Sequence, residues 1–281
     1  MESLAGTTDS RMPSDLALLL PLVLRMVVAA FFVVTASFIT ERSGPVIGAL
    51  IATLPISAGP TYVFLALDHD AAFIAEGALA SLPTNAATLL LGLTYVLLAQ
   101  RHGVLASWGA AAIVWLALAS LARAVHWSLG AGLLLNVMAF AICIRAQRRY
   151  RYAKMPPMAR RWYDVPLRAA LVALLVATVV SLSGWAGPAI SGILALFPIV
   201  FSSMMLILHP RIGGPATAAV IANSAWGLMG LGIAIAVLHI AALHLGSAAG
   251  LSLALAVCVV WNFSLWWISR IRAMPATRQL T

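Results

Sequence analysis

Nine apolar runs divide this chain, at residues 16–40, 44–67, 71–100, 104–121, 127–144, 165–183, 187–208, 213–239 and 250–268. Charged and turn-forming residues separate them: Glu41-Arg42-Ser43, Asp68-His69-Asp70, Arg101-His102-Gly103, Arg123 with His126, the basic stretch 147–164 and Gly213-Gly214-Pro215. The runs are close to the ~20 residues that carry a helix across ~30 Å of hydrocarbon, and none alternates as barrel strands do. The pattern predicts an all-α integral membrane protein of nine transmembrane helices.

The runs are not independent. Residues 24–56 laid over 167–199 at a constant offset of 143 agree at Leu24/Leu167, Arg25/Arg168, Ala30/Ala173, Val33/Val176, Thr35/Thr178, Gly44/Gly187, Pro45/Pro188, Ile47/Ile190, Ala52/Ala195, Pro55/Pro198 and Ile56/Ile199. Shared Leu and Ala mean little in so apolar a chain, but a shared Arg, Gly-Pro pair and interior Pro point to an internal duplication. Later in each half, Asn136-x5-Ile142 matches Asn262-x5-Ile268, so the fourth run has no counterpart and the halves hold five and four helices. The expected organisation is a disordered tail at 1–14, a first repeat at 15–146, a basic linker at 147–164, a second repeat at 165–272 and a tail at 273–281.

Composition agrees with the pattern: 63% hydrophobic residues, 9% charged and a mean hydropathy of +1.01. The net charge of +9 does not call for nucleic acid, because seven of the 17 cations fall between Arg145 and Arg161, in one loop between apolar runs. Cytoplasmic loops are enriched in Lys and Arg. With the linker cytoplasmic, five crossings put the N-terminus outside and four more return Arg270, Arg272 and Arg278 to the cytoplasm. An odd number of crossings between the copies inverts one relative to the other, the arrangement of secondary transporters with midplane sites between broken helices. A bacterial inner membrane is the expected location. No cleavable leader is expected, since the N-terminus carries Glu2, Asp9 and Asp15.

The second half carries Leu167-Arg168-Ala169-Ala170, Leu196-Phe197-Pro198, Ser224-Ala225-Trp226, and Trp261 with Ser264 and Trp267. On these motifs it resembles the GlpM-like family of small four-helix inner-membrane proteins. The first half has Leu54-Pro55 but lacks the Ser-x-Trp pair and carries an extra helix. The resemblance implies two such units fused, and it informs the fold more than the function.

Candidate site residues come from what is costly in lipid. Arg25 and Arg168 are charges inside apolar runs; each either lines a cavity or snorkels to the headgroups, since both lie near a helix start. Glu76 is the acid within an apolar run on the side of Arg25, and is read as its ion-pair partner, as a proton-coupling carboxylate or as an interfacial residue. That pairing would leave Arg168 as the better anion ligand. Pro55 and Pro198 free backbone carbonyls at matched positions, and with Ser57, Ser202 and Ser203 they suggest a central polar seam. Asn85 and Asn223 are candidates to line it, with Asn136 and Asn262 behind them; interhelical packing explains these amides equally well. Cys143 and Cys258 sit inside apolar runs, and the six histidines show no ligand spacing, so no metal or cofactor is expected. No nucleophile motif, phosphate-binding glycine loop or catalytic carboxylate pair asks for an enzyme. The reading is a multi-pass secondary transporter or translocator of a small anionic or lipid-linked, amphipathic solute. Its partners are membrane lipid and that solute, with self-association left open; the alternative is a non-transporting scaffold of an envelope assembly.

Overall fold

The computed structural model describes residues 14–42, 54–153 and 162–273. They form nine α-helices: α1 (Ser14–Arg42), α2 (Ala58–Asp68), α3 (Ala71–Leu98), α4 (Val104–Arg123), α5 (Leu129–Gln147), α6 (Asp164–Ala195), α7 (Ile199–Ile212), α8 (Gly214–Leu245) and α9 (Ser247–Ala273). Among the described residues there is no strand. Six of the helices, α3, α4, α5, α6, α8 and α9, are long and apolar enough to cross a bilayer. The chain is an all-α membrane protein. The described apolar part of α1, Leu20–Thr35, and α7 are shorter. The expected tails at 1–13 and 274–281, the start of the second run at 44–53 and the middle of the linker at 154–161 lie outside the described residues.

Three helix starts and stops follow from local chemistry. The Asp70 carboxylate accepts the Phe73 amide at 2.9 Å and caps α3, and the Ser128 hydroxyl accepts the Ala131 amide at 3.2 Å and caps α5. Gly213, at φ +83°, ends α7 in a conformation that side chains resist, and Pro215 then opens α8. Asp68-His69-Asp70 joins α2 to α3, whereas the run at 71–100 is one continuous helix through Pro83. The stretch Ser81 to Leu89 is buried on every side, so a proline there is shielded from lipid.

α3 and α8 form the centre and pack on each other. α4, α5 and α6 surround α3; α5, α7 and α9 surround α8; α1 and α2 lie against α6. The central pair runs antiparallel, because partners on α8 fall in number as those on α3 rise. His239 donates from Nδ1 to the Ala75 carbonyl at 2.7 Å, Asn85 meets Leu228, Gly92 faces Ile221, and Ala99 faces Gly214.

Without a hydrophobic gradient between helices in lipid, close packing has to hold them, and small residues permit it. A Cβ added to Gly192 would lie 2.0 Å from the Gly77 carbonyl oxygen, and one added to Gly214 would lie 1.9 Å from that of Ala99. Gly192→Ala and Gly214→Ala are each expected to cost about 3 kcal/mol through overpacking. Gly109, whose added Cβ meets nothing within 4 Å, is the control. Thermal unfolding of the detergent-purified variants checks this; equal melting temperatures for all three would contradict the close crossings.

Candidate functional site

Two proline turns define the site. In each, a proline sits at the centre of a tight turn closed over three residues: Ile56 N–H donates to Leu54 O at 2.7 Å around Pro55, and Ile199 N–H to Phe197 O at 2.7 Å around Pro198. Pro198 has φ −77° and ψ 55°, close to an inverse γ-turn, which a proline's fixed φ favours. Each proline carbonyl then accepts from the residue four ahead, Gly59 and Ser202, both at 2.8 Å, and so restarts a helix. A third interruption, Gly187 at φ +78°, divides α6 into a long segment to 186 and a short one from Pro188 to Ala195.

Both proline turns line one cavity of about 370 Å³, closed by Asn85 and Thr88 of α3 and by Asn223, Ser224 and Leu228 of α8. A second lobe of about 480 Å³ adjoins it, sharing Leu54, Pro55, Ile56, Leu196 and Leu231. That lobe is lined almost wholly by apolar side chains, among them Phe32, Val63 and Leu255, which are 55%, 45% and 52% exposed. It therefore opens sideways, between α1, α2 and α9. Among the described residues no charged side chain lines either lobe.

Asn85 is the polar centre of the first lobe, and its orientation is forced. Asn136 Nδ2 donates to the carbonyls of Leu82 and Gly132, both at 2.8 Å, which leaves its Oδ1 as an acceptor. Asn85 Nδ2 donates to that Oδ1 at 2.9 Å and to Leu228 O at 3.2 Å. Both amide hydrogens are thereby spent, and Asn85 Oδ1 is buried with no hydrogen-bond partner. A buried acceptor of this kind costs free energy until a donor reaches it. Gly232 makes the relay possible, since a Cβ there would come within 2.9 Å of Asn85 Nδ2.

The charges lie elsewhere. Arg25 makes a two-pronged ion pair with Asp68, its Nη2 at 2.6 Å from Oδ1, and Arg211 makes the same pair with Asp164 at 2.6 Å on both prongs. This corrects the expected Arg25–Glu76 pair: Glu76 is exposed on α3, because its neighbours Ala75 and Gly77 occupy the inward face and turn it away from the protein. Asp68, at the end of α2, is the acid that reaches Arg25.

Of the residues read from sequence, Pro55, Pro198, Ser57, Asn85 and Asn223 come together at the cavity. Arg25, Arg168, Glu76, Ser202 and Ser203 are not among its lining residues. Ser202 and Ser203 are buried one turn beyond the break, and Ser203 bonds its own helix at Val200 O, 2.8 Å away. Arg168 lies on the first turns of α6, one turn after Asp164. Sequence reasoning passed over Thr88, which holds Trp115 Nε1 at 3.0 Å, and the supporting role of Asn136. It also missed Asp68 and Arg211, which carry opposite charge and lie 143 residues apart, the offset at which 24–56 and 167–199 were aligned. Their alignment was the available signal, hidden because the residues differ.

Compared with protein-family models, curated proteins and solved structures, the chain finds no match.

Replacing Asn85 by Leu strands Asn136 Oδ1 and Leu228 O and is expected to destabilise the protein by about 1–3 kcal/mol. The double variant Asn85→Leu/Asn136→Leu removes the stranded amide and should recover about half of the loss. Thermal unfolding of the four proteins in the cycle tests this. Strict additivity of the two substitutions would show that the amides do not form a relay.

Proposed function

We propose that the chain is a secondary transporter or translocator for a neutral or weakly polar amphipathic, lipid-linked solute. It consists of two GlpM-like units in inverted orientation, five helices and four, that alternate access to the cavity between them. The first repeat spans residues 15–146 and the second 165–272, in a bacterial inner membrane with the N-terminus outside.

The observation that carries this reading is the pair of proline turns on one cavity. Leu54, Pro55, Ile56 and Gly59 make the same hydrogen bonds as Phe197, Pro198, Ile199 and Ser202, each 143 residues later. Asn85 bonds the carbonyl of Leu228, its own equivalent at that offset, as expected where two inverted copies cross an axis in the membrane plane. An ion pair joins the first and second described helices of each copy, Arg25 with Asp68 and Asp164 with Arg211; Asp68 and Arg211 are 143 residues apart, while Asp164 lies one turn before Arg168, the counterpart of Arg25.

The lobes also specify a solute class. With Arg25 bound to Asp68 and no charged side chain at the cavity among the described residues, an anion has no counter-ion there. The first lobe offers the hydroxyls of Ser57, Thr88 and Ser224, which suit a donor such as a hydroxyl or amide N–H. The adjoining apolar lobe, open to the side, suits a chain that never leaves the lipid. A scaffold has no use for such a cavity, so the lobes weigh against that alternative.

Ser57 and Ser224 line the first lobe and test access directly. In a Cys143→Ala/Cys258→Ala background, cysteine at either position should react with a membrane-impermeant maleimide in proteoliposomes. Substitution of Ser224 by Trp should slow flipping of a fluorescent short-chain lipid by at least ~10-fold, about 1.4 kcal/mol. Cysteines that stay unlabelled from both sides, with lipid flipping at the empty-vesicle rate, would leave the scaffold reading in its place.

A further inference from the structure

A second cavity, distinct from the lobes between the proline turns, lies between α5 and α8. It encloses about 680 Å³. Its floor is apolar: Leu133, Val137 and Phe140 of α5 face Met229 and Ile233 of α8. At one end the lining changes to Arg145, Arg148, Arg151, Tyr152 and Trp226. Three cations against one apolar groove are not what packing requires, since lipid-facing helices gain nothing from a charge beside their apolar flank.

One of the three is fixed in advance. Arg151 Nε donates to Asn223 Oδ1 at 2.9 Å, Asn223 Nδ2 donates back to the Arg151 carbonyl at 3.0 Å, and the guanidinium lies 5.8 Å from the Trp226 ring centroid. Its Nη groups stay outside that bond. Arg149, in the same turn, stacks on Tyr150 at 4.7 Å and does not line the groove. Among the described residues no carboxylate pairs with Arg145, Arg148 or Arg151; the acids that do pair, Asp68 and Asp164, are bound to Arg25 and Arg211. Val137, 66% exposed, and Ile233, 40% exposed, leave the groove open along its length toward the acyl-chain region.

We infer that this groove binds an anionic glycerophospholipid, with its phosphate on the three guanidinium groups and an acyl chain along Val137 and Ile233. Basic pockets between transmembrane helices on the cytoplasmic side recognise anionic headgroups, and guanidinium matches phosphate with two parallel bonds. The charge selects the headgroup, and the apolar floor selects a lipid over free phosphate. The site does not depend on transport through the central cavity.

The test is thermal unfolding of the purified full-length chain in detergent, with dioleoylphosphatidylglycerol, dioleoylphosphatidylcholine or inorganic phosphate added at equal phosphorus. Phosphatidylglycerol is expected to raise the melting temperature by about 5 °C, and the other two by less than about 1 °C. Arg145→Gln/Arg148→Gln should abolish the shift, while Arg101→Gln/Arg123→Gln, two exposed cations outside the groove, should keep it. Val137→Trp, which fills the floor and leaves every cation in place, should also abolish it, and serves if the double variant does not fold. Equal shifts with phosphatidylcholine or phosphate would overturn the site. So would a shift that survives both groove variants, or one lost equally with Arg101 and Arg123. Lipid flipping measured alongside separates this outcome from failure of the transport reading.

Discussion

Hydrocarbon offers no hydrogen bonds, and everything peculiar in this chain is a response to that constraint. A break in a helix exposes backbone groups that lipid cannot satisfy, at several kcal/mol each. Here the breaks at Pro55 and Pro198 spend part of that loss internally, through three-residue turns and the carbonyls that restart each helix. What remains is gathered at one cavity beside the antiparallel central helices α3 and α8, whose adjoining lobe opens sideways between α1, α2 and α9. The same constraint explains the long Ala, Gly, Ser and Thr content of α3. Close backbone approach, as at Gly192 against Gly77, replaces the hydrophobic gradient that drives folding in water.

Charges obey the rule in a different way. A charge beside lipid is tolerated when an acid meets it with two parallel bonds, and Arg25, inside an apolar run, and Arg211, between two runs, each have such an acid. Each pair ties two helices together: α1 to α2, and α6 to α7. Bound in this way, these charges are engaged away from the cavity, whose lining among the described residues is mainly apolar with a few uncharged polar groups.

Much of this was legible beforehand. The apolar runs marked the helices, and the repeated Pro55 and Pro198 marked the place where the chain breaks. Asn85, Asn223 and Ser57 were named as lining residues and do line the cavity. The partner of Arg25 was not legible, because Glu76 and Asp68 lie on the same side of the chain's first turns and one-dimensional spacing does not say which reaches the guanidinium. An exposed Glu76 differs from a buried Ala75 by one hundred-degree step around a helix. Asn136 was in view as a packing or lining amide, but its effect on Asn85 depends on which atoms two other helices present to it.

Hydropathy and the positions of proline are properties of the chain in order, so the sequence alone determined that this is a helical membrane protein with proline turns at Pro55 and Pro198. Whether an arginine serves a ligand or an aspartate, which amide oxygen is left without a donor, and whether two turns share a cavity are questions of direction and distance between segments far apart in the chain. Those were decided by how the helices pack, Arg25 of α1 against Asp68 of α2 and Asn85 of α3 against Asn136 of α5 and Leu228 of α8, because only when the helices are brought to contact do their polar groups choose partners, and the choices exclude one another.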